Sequence, residues 1–243
     1  MFWFIKDVAD LIIDIIIGLM ESFGIRFTPA VLTKGERVVR LVVVTGADSG
    51  MGLSTTLELA RMDDKYHVLA TCFSPNSLAR LRDVKNVTAV CCDVRDEQDA
   101  NAVYDAAVQV LLSGSTGKGR SMIIPWALVN NAGVAEMGYT DWMPHSSYQN
   151  CIDVNYLGLV RMTQTLLPLL KKAPGSRIVN ISSMAGLMSG PGLGGYSASK
   201  HAVEGFTKAL RQELIPWGIH VCNVNPGFMR TPLIESTIAH STR

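Results

Sequence analysis

An α/β fold built on a doubly wound parallel sheet, with helices on both faces, is the architecture this sequence predicts. Three observations predict it. From Arg37 onward, short apolar runs alternate with longer amphipathic ones, as repeated strand–helix units do. The short runs are rich in β-branched residues and almost unbroken, the pattern of strands buried on both faces. Glycines cluster between the first such run and the first amphipathic stretch, where a tight strand-to-helix turn is needed. At 243 residues, 48% of them hydrophobic, the chain has the material for one such domain over residues 37–243.

Residues 1–30 stand apart as an apolar helix. Leu11, Ile12, Ile13, Ile15, Ile16, Ile17 and Leu19 dominate, and Asp7, Asp10, Asp14 and Glu21 interrupt. At roughly 100° per residue these four acids fall within about 60° of one another. An acid near the centre of a membrane span costs about 2.5–3.5 kcal/mol. A helix lying in the membrane surface with its acidic stripe toward water is therefore at least as well supported as a span, with packing on a partner subunit as the other reading. The expected location is membrane-associated, at the endoplasmic reticulum, with the mitochondrial membrane or lipid droplets as alternatives.

The elements follow in order. Val38–Thr45 is the first strand, Leu53–Arg61 the first helix of the domain and Tyr66–Cys72 the second strand. A short polar helix is expected near Leu78–Arg82, and a third strand over Val87–Cys91 leads to Asp93. Gln98–Leu112 is helical, and the Gly/Ser-rich stretch Ser113–Arg120 is expected to be a mobile loop. Trp126–Asn130 is the fourth strand. A long helix over Tyr148–Leu170 is closed by Pro174-Gly175. Arg177–Ser182, Tyr196–Leu214 and His220–Asn225 complete the pattern as strand, helix and strand, and the polar Ser236–Arg243 is expected to hold little structure.

Composition narrows the function. A formal net charge of +1 offers no basic face for nucleic acid. Cys72, Cys91, Cys92, Cys151 and Cys222 form no CxxC pair, so neither a metal cage nor a disulfide framework is indicated, and buried reduced thiols are expected.

The chemistry-bearing stretches come next. In Thr45-Gly46-Ala47-Asp48-Ser49-Gly50-Met51-Gly52 the glycines suit a turn whose backbone approaches a pyrophosphate at a helix N-terminus, as in Rossmann-type folds. Their spacing is GxxxGxG, not the commoner GxGxxG. In Tyr196-Ser197-Ala198-Ser199-Lys200, the phenol and the ammonium share one helix face. A nearby ammonium lowers a phenol's pKa toward that of a usable general base. Ser183, at the end of the fifth strand, lies on the carboxyl edge of the sheet where ligands bind.

With these motifs in place, the chain resembles the short-chain dehydrogenase/reductase family from about Arg40 to Leu233. The matching elements are Gly46, Gly50 and Gly52; Asn130-Asn131-Ala132-Gly133; Asn155; Ser183; Tyr196 with Lys200; and Pro226-Gly227 with Thr231. The resemblance implies that Asn155, Ser183, Tyr196 and Lys200 are catalytic. Tyr196 would exchange the proton and Ser183 would bond the same substrate oxygen. Lys200 would hold the nicotinamide ribose, supported by Asn155 through a water relay. Cofactor contacts are implied for Gly46, Ser49, Gly50, Met51, Gly52, Asn131, Ala132, Gly133, Pro226 and Gly227. Asp93 would meet the adenine amino group and Thr231 the carboxamide or a phosphate. Asp48-Ser49 and Pro191-Gly192-Leu193-Gly194-Gly195 are similar to the retinol, hydroxysteroid and 3-hydroxybutyrate dehydrogenase branch. A small apolar alcohol or carbonyl of retinoid or steroid type is the implied substrate.

No acid and no base stands at the end of the second strand, where Cys72, Phe73 and Ser74 are found. Asp48 would repel an extra phosphate if it points there, so NAD is preferred over NADP. A homodimer through the long helices is implied by the resemblance, and no nucleic acid is expected. Relatives of this branch continue through a covering segment and a seventh strand, which are not found after Leu233, so the sixth strand is expected to be an edge. A scaffold or redox sensor that keeps the dinucleotide fold without turnover remains the second reading.

Overall fold

The computed structural model describes residues 37–62, 64–114, 122–227 and 229. The helix expected over residues 1–30, the centre of the glycine-rich loop, Thr231 and the polar end lie outside the described residues.

Six strands form one parallel sheet: β1 (Val38–Val44), β2 (Tyr66–Cys72), β3 (Val87–Cys91), β4 (Met122–Asn130), β5 (Arg177–Ile181) and β6 (His220–Val224). Their order is β3-β2-β1-β4-β5-β6, and every neighbouring pair is parallel. The winding reverses between β1 and β4, so the connections leaving these strands diverge and open a crevice at their carboxyl ends. The helices are α1 (Gly50–Arg61), α2 (Pro75–Leu81), α3 (Glu97–Ser113), α4 (His145–Ile152), α5 (Leu159–Leu170) and α6 (Gly194–Glu213).

Alternation along the strands divides the core. Leu41, Val43, Leu128 and Ile178 pack against Val103 and Ala107 of α3, Met162 and Leu166 of α5, and Leu210 of α6. Val42, Val44, Val68 and Val129 face the opposite way, toward Leu59 of α1 and Leu81 of α2. Each fully buried side chain of this size stabilises the fold by about 1.5–3 kcal/mol. α3 is fixed at its start by Asp96, whose carboxylate accepts from Gln98 N at 2.7 Å and Asp99 N at 3.1 Å.

Several boundaries differ from the sequence reading. α1 begins at Gly50, three residues before Leu53, and Gly50 itself enters the helix with φ +55°. β4 begins at Met122 and runs through Pro125. A bulge at Trp126, between the Leu41↔Pro125 and Val42↔Ala127 pairs, accommodates the missing N–H of the proline. Arg40 and Arg177 lie over the Trp126 ring at 4.6 and 4.4 Å.

The expected long helix is interrupted by a π-helical turn over Asp153–Gly158. This turn points the buried Asn155 amide at the loop after β4, and Gly158 lets the turn rest on Val94. Hydrophobic periodicity over 23 positions does not reveal one wide turn within it. The cysteine expectation needs correction at two positions: Cys72, Cys92 and Cys151 are buried, but Cys222 is half-buried and Cys91 is exposed where β3 ends.

Candidate active site

The turn after β1 is shaped by close backbone approach. Gly46 has φ +67°, and a Cβ there would stand 2.7 Å from Ala132 Cα. A Cβ on Gly52 would overlap the Gly46 carbonyl oxygen and Asn131 Nδ2. Gly52 therefore lets the helix close onto the turn, and it lies beneath the crevice surface. Asn131 clamps the two central strands: its Nδ2 donates to the Thr45 and Gly46 carbonyls at 2.9 and 3.0 Å. The Thr45 hydroxyl in turn accepts from Asn131 N and Ala132 N, each at 3.0 Å.

Ser49 stands at the N-cap of α1 with extended backbone and makes no capping bond with its side chain. Its hydroxyl and the first-turn N–H groups at Gly50 and Met51 are thus left for an anion. Asp48 reaches the tip of β2. Its carboxylate accepts from Phe73 N and Ser74 N, both at 2.9 Å, and its carbonyl accepts from Arg80 Nη2 at 2.7 Å. The end of β2 thus carries an acid after all, delivered from the neighbouring turn.

The residues of the proton-transfer group come from three elements. Tyr196 and Lys200 sit one turn apart on α6, and Ser183 follows β5. The Ser183 hydroxyl hydrogen-bonds the Tyr196 phenol, and it accepts from Ala185 N at 3.1 Å. Lys200 is 5% exposed, and its Nζ donates to the Ile181 carbonyl at 2.9 Å. Burial pushes this ammonium down to about 8, with the nearby Cys151 thiol opposing. Tyr196 does not follow the expected lowering. Burial raises its phenol above the ordinary value, and the Ser183 hydrogen bond only partly offsets this. The Lys200 Nζ stands 5.8 Å from the ring centroid, committed to a carbonyl, so burial wins. A phenol held protonated is a proton donor, suited to a carbonyl oxygen that gains negative charge.

Asn155 is fully engaged by its own surroundings. Nδ2 donates to the Val134 carbonyl and to Ser199 Oγ, each at 2.9 Å, and Oδ1 accepts from Val134 N at 2.7 Å. It flanks the same glycine as the lysine: a Cβ on Gly133 would lie 3.1 Å from Asn155 Oδ1 and 3.6 Å from Lys200 Nζ. At β6, the Pro226 carbonyl accepts from Met184 N at 3.0 Å and ties down the loop that carries Ser183. Gly227 is exposed just beyond it.

Most of the turn and the Tyr196/Lys200 pair share one cleft of about 570 Å³, within the range of small-molecule and cofactor sites, whereas Gly52, Asn155, Ser183, Pro226 and Gly227 do not line it. Gly46, Ser49, Gly50, Met51, Asp93, Asn131, Ala132, Gly133, Tyr196 and Lys200 all line it. The cradle fits a dinucleotide, because side chains are missing at Gly46 and Gly133 where a diphosphate and a ribose must approach the backbone. Asp93 is paired with Arg95. Arg95 donates to its carboxylate from N (2.9 Å), Nε (3.0 Å to each oxygen) and Nη2 (2.6 Å), which holds the carboxyl below its ordinary value. Sequence reasoning missed Phe73, Arg95 and Asn150 among the lining residues. None carries a motif; the one signal was the position of Arg95 two residues beyond Asp93.

Comparison with known proteins gives consistent matches. The family model described as short chain dehydrogenase matches residues 40–241. An uncharacterized oxidoreductase of Bacillus subtilis, YusZ, is 35% identical over 202 residues, covering 83% of this chain and 69% of that protein. Mouse retinol dehydrogenase 5 is 37% identical over 205 residues, covering 83% of this chain and 60% of that protein. Among solved structures, a Burkholderia phymatum short chain dehydrogenase/reductase in complex with NAD aligns with a TM-score of 0.70 at 26% identity. That alignment covers 83% of this chain and 70% of the other. The chain thus spans about two thirds of the length of these relatives.

Proposed function

This chain belongs to the short-chain dehydrogenase family, and from that premise we propose that it moves a hydride between a nicotinamide cofactor and an apolar alcohol or its carbonyl. The observation that carries the reading is the Ser183–Tyr196–Lys200 group at the end of the glycine-lined cleft. The cofactor supplies the hydride acceptor or donor. Tyr196 gives or takes the proton at the substrate oxygen, and Ser183 steadies charge on that oxygen. Lys200, held by the Ile181 carbonyl, positions the ribose beside Tyr196. Gly46, Ser49, Gly50 and Met51 hold the diphosphate, and Pro226 anchors the serine loop. Thr231 and Gly227 are assigned to the nicotinamide end from the motif alone.

An apolar substrate suits the exposed apolar residues of the segments that follow β4 and β5. Tyr139 and Trp142 stack at 6.1 Å and stand about 60% exposed after β4. Met184, Leu187 and Met188 are exposed after β5, and Gly138 N donates to the Gly192 carbonyl at 2.9 Å between the two segments. Methionine-rich surfaces adapt to bulky apolar ligands, and one relative is named for retinol. The test is turnover of a panel of retinoid and steroid alcohols with NAD, against short polar alcohols. Faster oxidation of the short alcohols overturns the substrate class.

NAD is the favoured cofactor, because the Asp48 carboxylate occupies the tip of β2 and would repel a 2′-phosphate. Asp48→Ser is expected to raise the NADP-to-NAD ratio of kcat/KM by about 10–100-fold, the effect of removing one close like charge. An unchanged ratio would remove Asp48 from cofactor choice.

Membrane association through residues 1–30 and a homodimer through the α4–α5 and α6 faces, where Leu157 is 41% exposed, complete the reading. No helix among the described residues is long and apolar enough to cross a membrane. Flotation with liposomes is expected for the full chain and not for one lacking residues 1–30, and sedimentation of the latter is expected to give a dimer mass. Equal flotation of the two forms, or a monomer mass, would refute the corresponding claim.

A further inference from the structure

We propose that Tyr148 is a positioning residue for Tyr196, and that Gly194 and Gly195 lack side chains so that its ring can lie against the start of α6. The inference rests on the nicotinamide reading above. Tyr196 is the third residue of α6, and Gly194 and Gly195 are the first two. A helix start is the part of a helix least held by its own hydrogen bonds. Here the usual fixings are missing as well: Leu193 offers no capping side chain, and no acid stands in the first turn. The glycine pair adds backbone freedom. The direction in which α6 presents Tyr196 is therefore set by packing.

Tyr148 of α4 supplies that packing. A Cβ on Gly195 would stand 3.0 Å from Tyr148 Cδ1 and 3.4 Å from its Cα, and one on Gly194 would stand 3.7 Å from Tyr148 Cε1. The ring thus spans both glycines, and Gly195 is buried. Cys151, three residues on and on the same face of α4, is buried near Tyr196 and Lys200, so α4 backs the whole proton-transfer pair. The ring is itself held on its outer side. His145 tilts against it at 6.2 Å, and Tyr148 Oη donates to Thr140 Oγ1 at 3.4 Å.

The test compares the full chain with Tyr148→Phe, Tyr148→Ala, Gly195→Ala and the double variant Tyr148→Ala/Gly195→Ala. With the best alcohol of the retinoid and steroid panel, Tyr148→Ala is expected to lower kcat by about 10–100-fold, the scale of a misplaced catalytic group, while NADH affinity stays within about threefold. Tyr148→Phe keeps the ring and is expected to hold kcat within about threefold of the parent. Gly195→Ala is expected to lower kcat about 10-fold in the parent but less than about twofold in Tyr148→Ala, because both changes act on one contact. Hydrogen exchange reads the same packing without turnover. The Ser197 amide donates to the Leu193 carbonyl at 2.7 Å, and it is expected to exchange at least about fivefold faster in Tyr148→Ala than in Tyr148→Phe. Additive losses in the double variant, equal loss of kcat and NADH affinity, or equal Ser197 exchange in the two Tyr148 variants would overturn the proposal. A parent that oxidises no alcohol of the panel, while Ser197 exchange responds as stated, would overturn the nicotinamide reading alone.

Discussion

Tyr196→Phe is expected to reduce turnover by about 10²–10⁴-fold, the usual contribution of a positioned proton donor, while NADH affinity stays within about threefold. The separation follows from the geometry. The phenol oxygen bonds Ser183 at the substrate end of the cleft, whereas the glycine turn, Asn131 and Gly133 shape the cofactor cradle without it. The ring itself remains to pack on α6. Steady-state kinetics with a parallel fluorescence titration read both quantities. Equal loss of binding and turnover would make Tyr196 a structural residue, and full retained turnover would remove it from the chemistry.

Lys200→Met is expected to give a more stable protein that turns over at least about 100-fold more slowly. Burial holds the Lys200 ammonium down to about 8, against about 10.4 in an unfolded chain. Below pH 8 both states carry the proton, and the folded state bears the full desolvation cost, about 3 kcal/mol. Between pH 8 and about 10.5 the unfolded chain binds the proton that the folded one has released, so stability recovers as pH rises. Methionine removes the cost but leaves the Ile181 carbonyl without its donor, a loss of about 1–2 kcal/mol. A net gain of about 1–2 kcal/mol at pH 7 is expected, shrinking to nothing or reversing by pH 10.5.

The comparison with the parent isolates Lys200. Cys72 and Cys92, pushed up to about 11 and 12 by burial, act in the opposite direction with pH but are present in both proteins. Thermal melts across pH 7–10.5 measure the difference. A variant less stable than the parent at pH 7, with an unchanged pH slope, would show that burial is not the dominant influence on this lysine.

What the sequence revealed divides along physical lines. Strands β2 and β3 were legible to the residue, β2 as a run buried along nearly its whole length and β3, half-buried at the sheet edge, as a short β-branched run. The cofactor turn and the Tyr196/Lys200 face were legible because their spacing states their geometry. The π turn at Asp153–Gly158 was not, since one wide turn leaves no mark in the side-chain pattern. Nor were the contacts of Asp48 and Arg95. An acid was sought at the end of β2 in its own sequence, yet it arrives from the turn after β1, 25 residues earlier than its partner Phe73. The direction of the Tyr196 shift was misjudged because proximity along a helix says nothing of where the lysine head is committed.

The strand order also bears on how the chain acquires its shape during synthesis. Val38 of β1 must wait for Met122 of β4, about 80 residues later, before its second edge is paired. At ribosomal speed that interval is about 4–16 s. For that time the nascent chain offers a half-sheet of β3, β2 and β1 whose open border is the apolar run of β1, interrupted by Arg40. Such a border recruits other chains. Protection of this half-sheet before β4 emerges, by an early-binding chaperone or by fast translation through the α3 region, thus sets the yield of soluble protein.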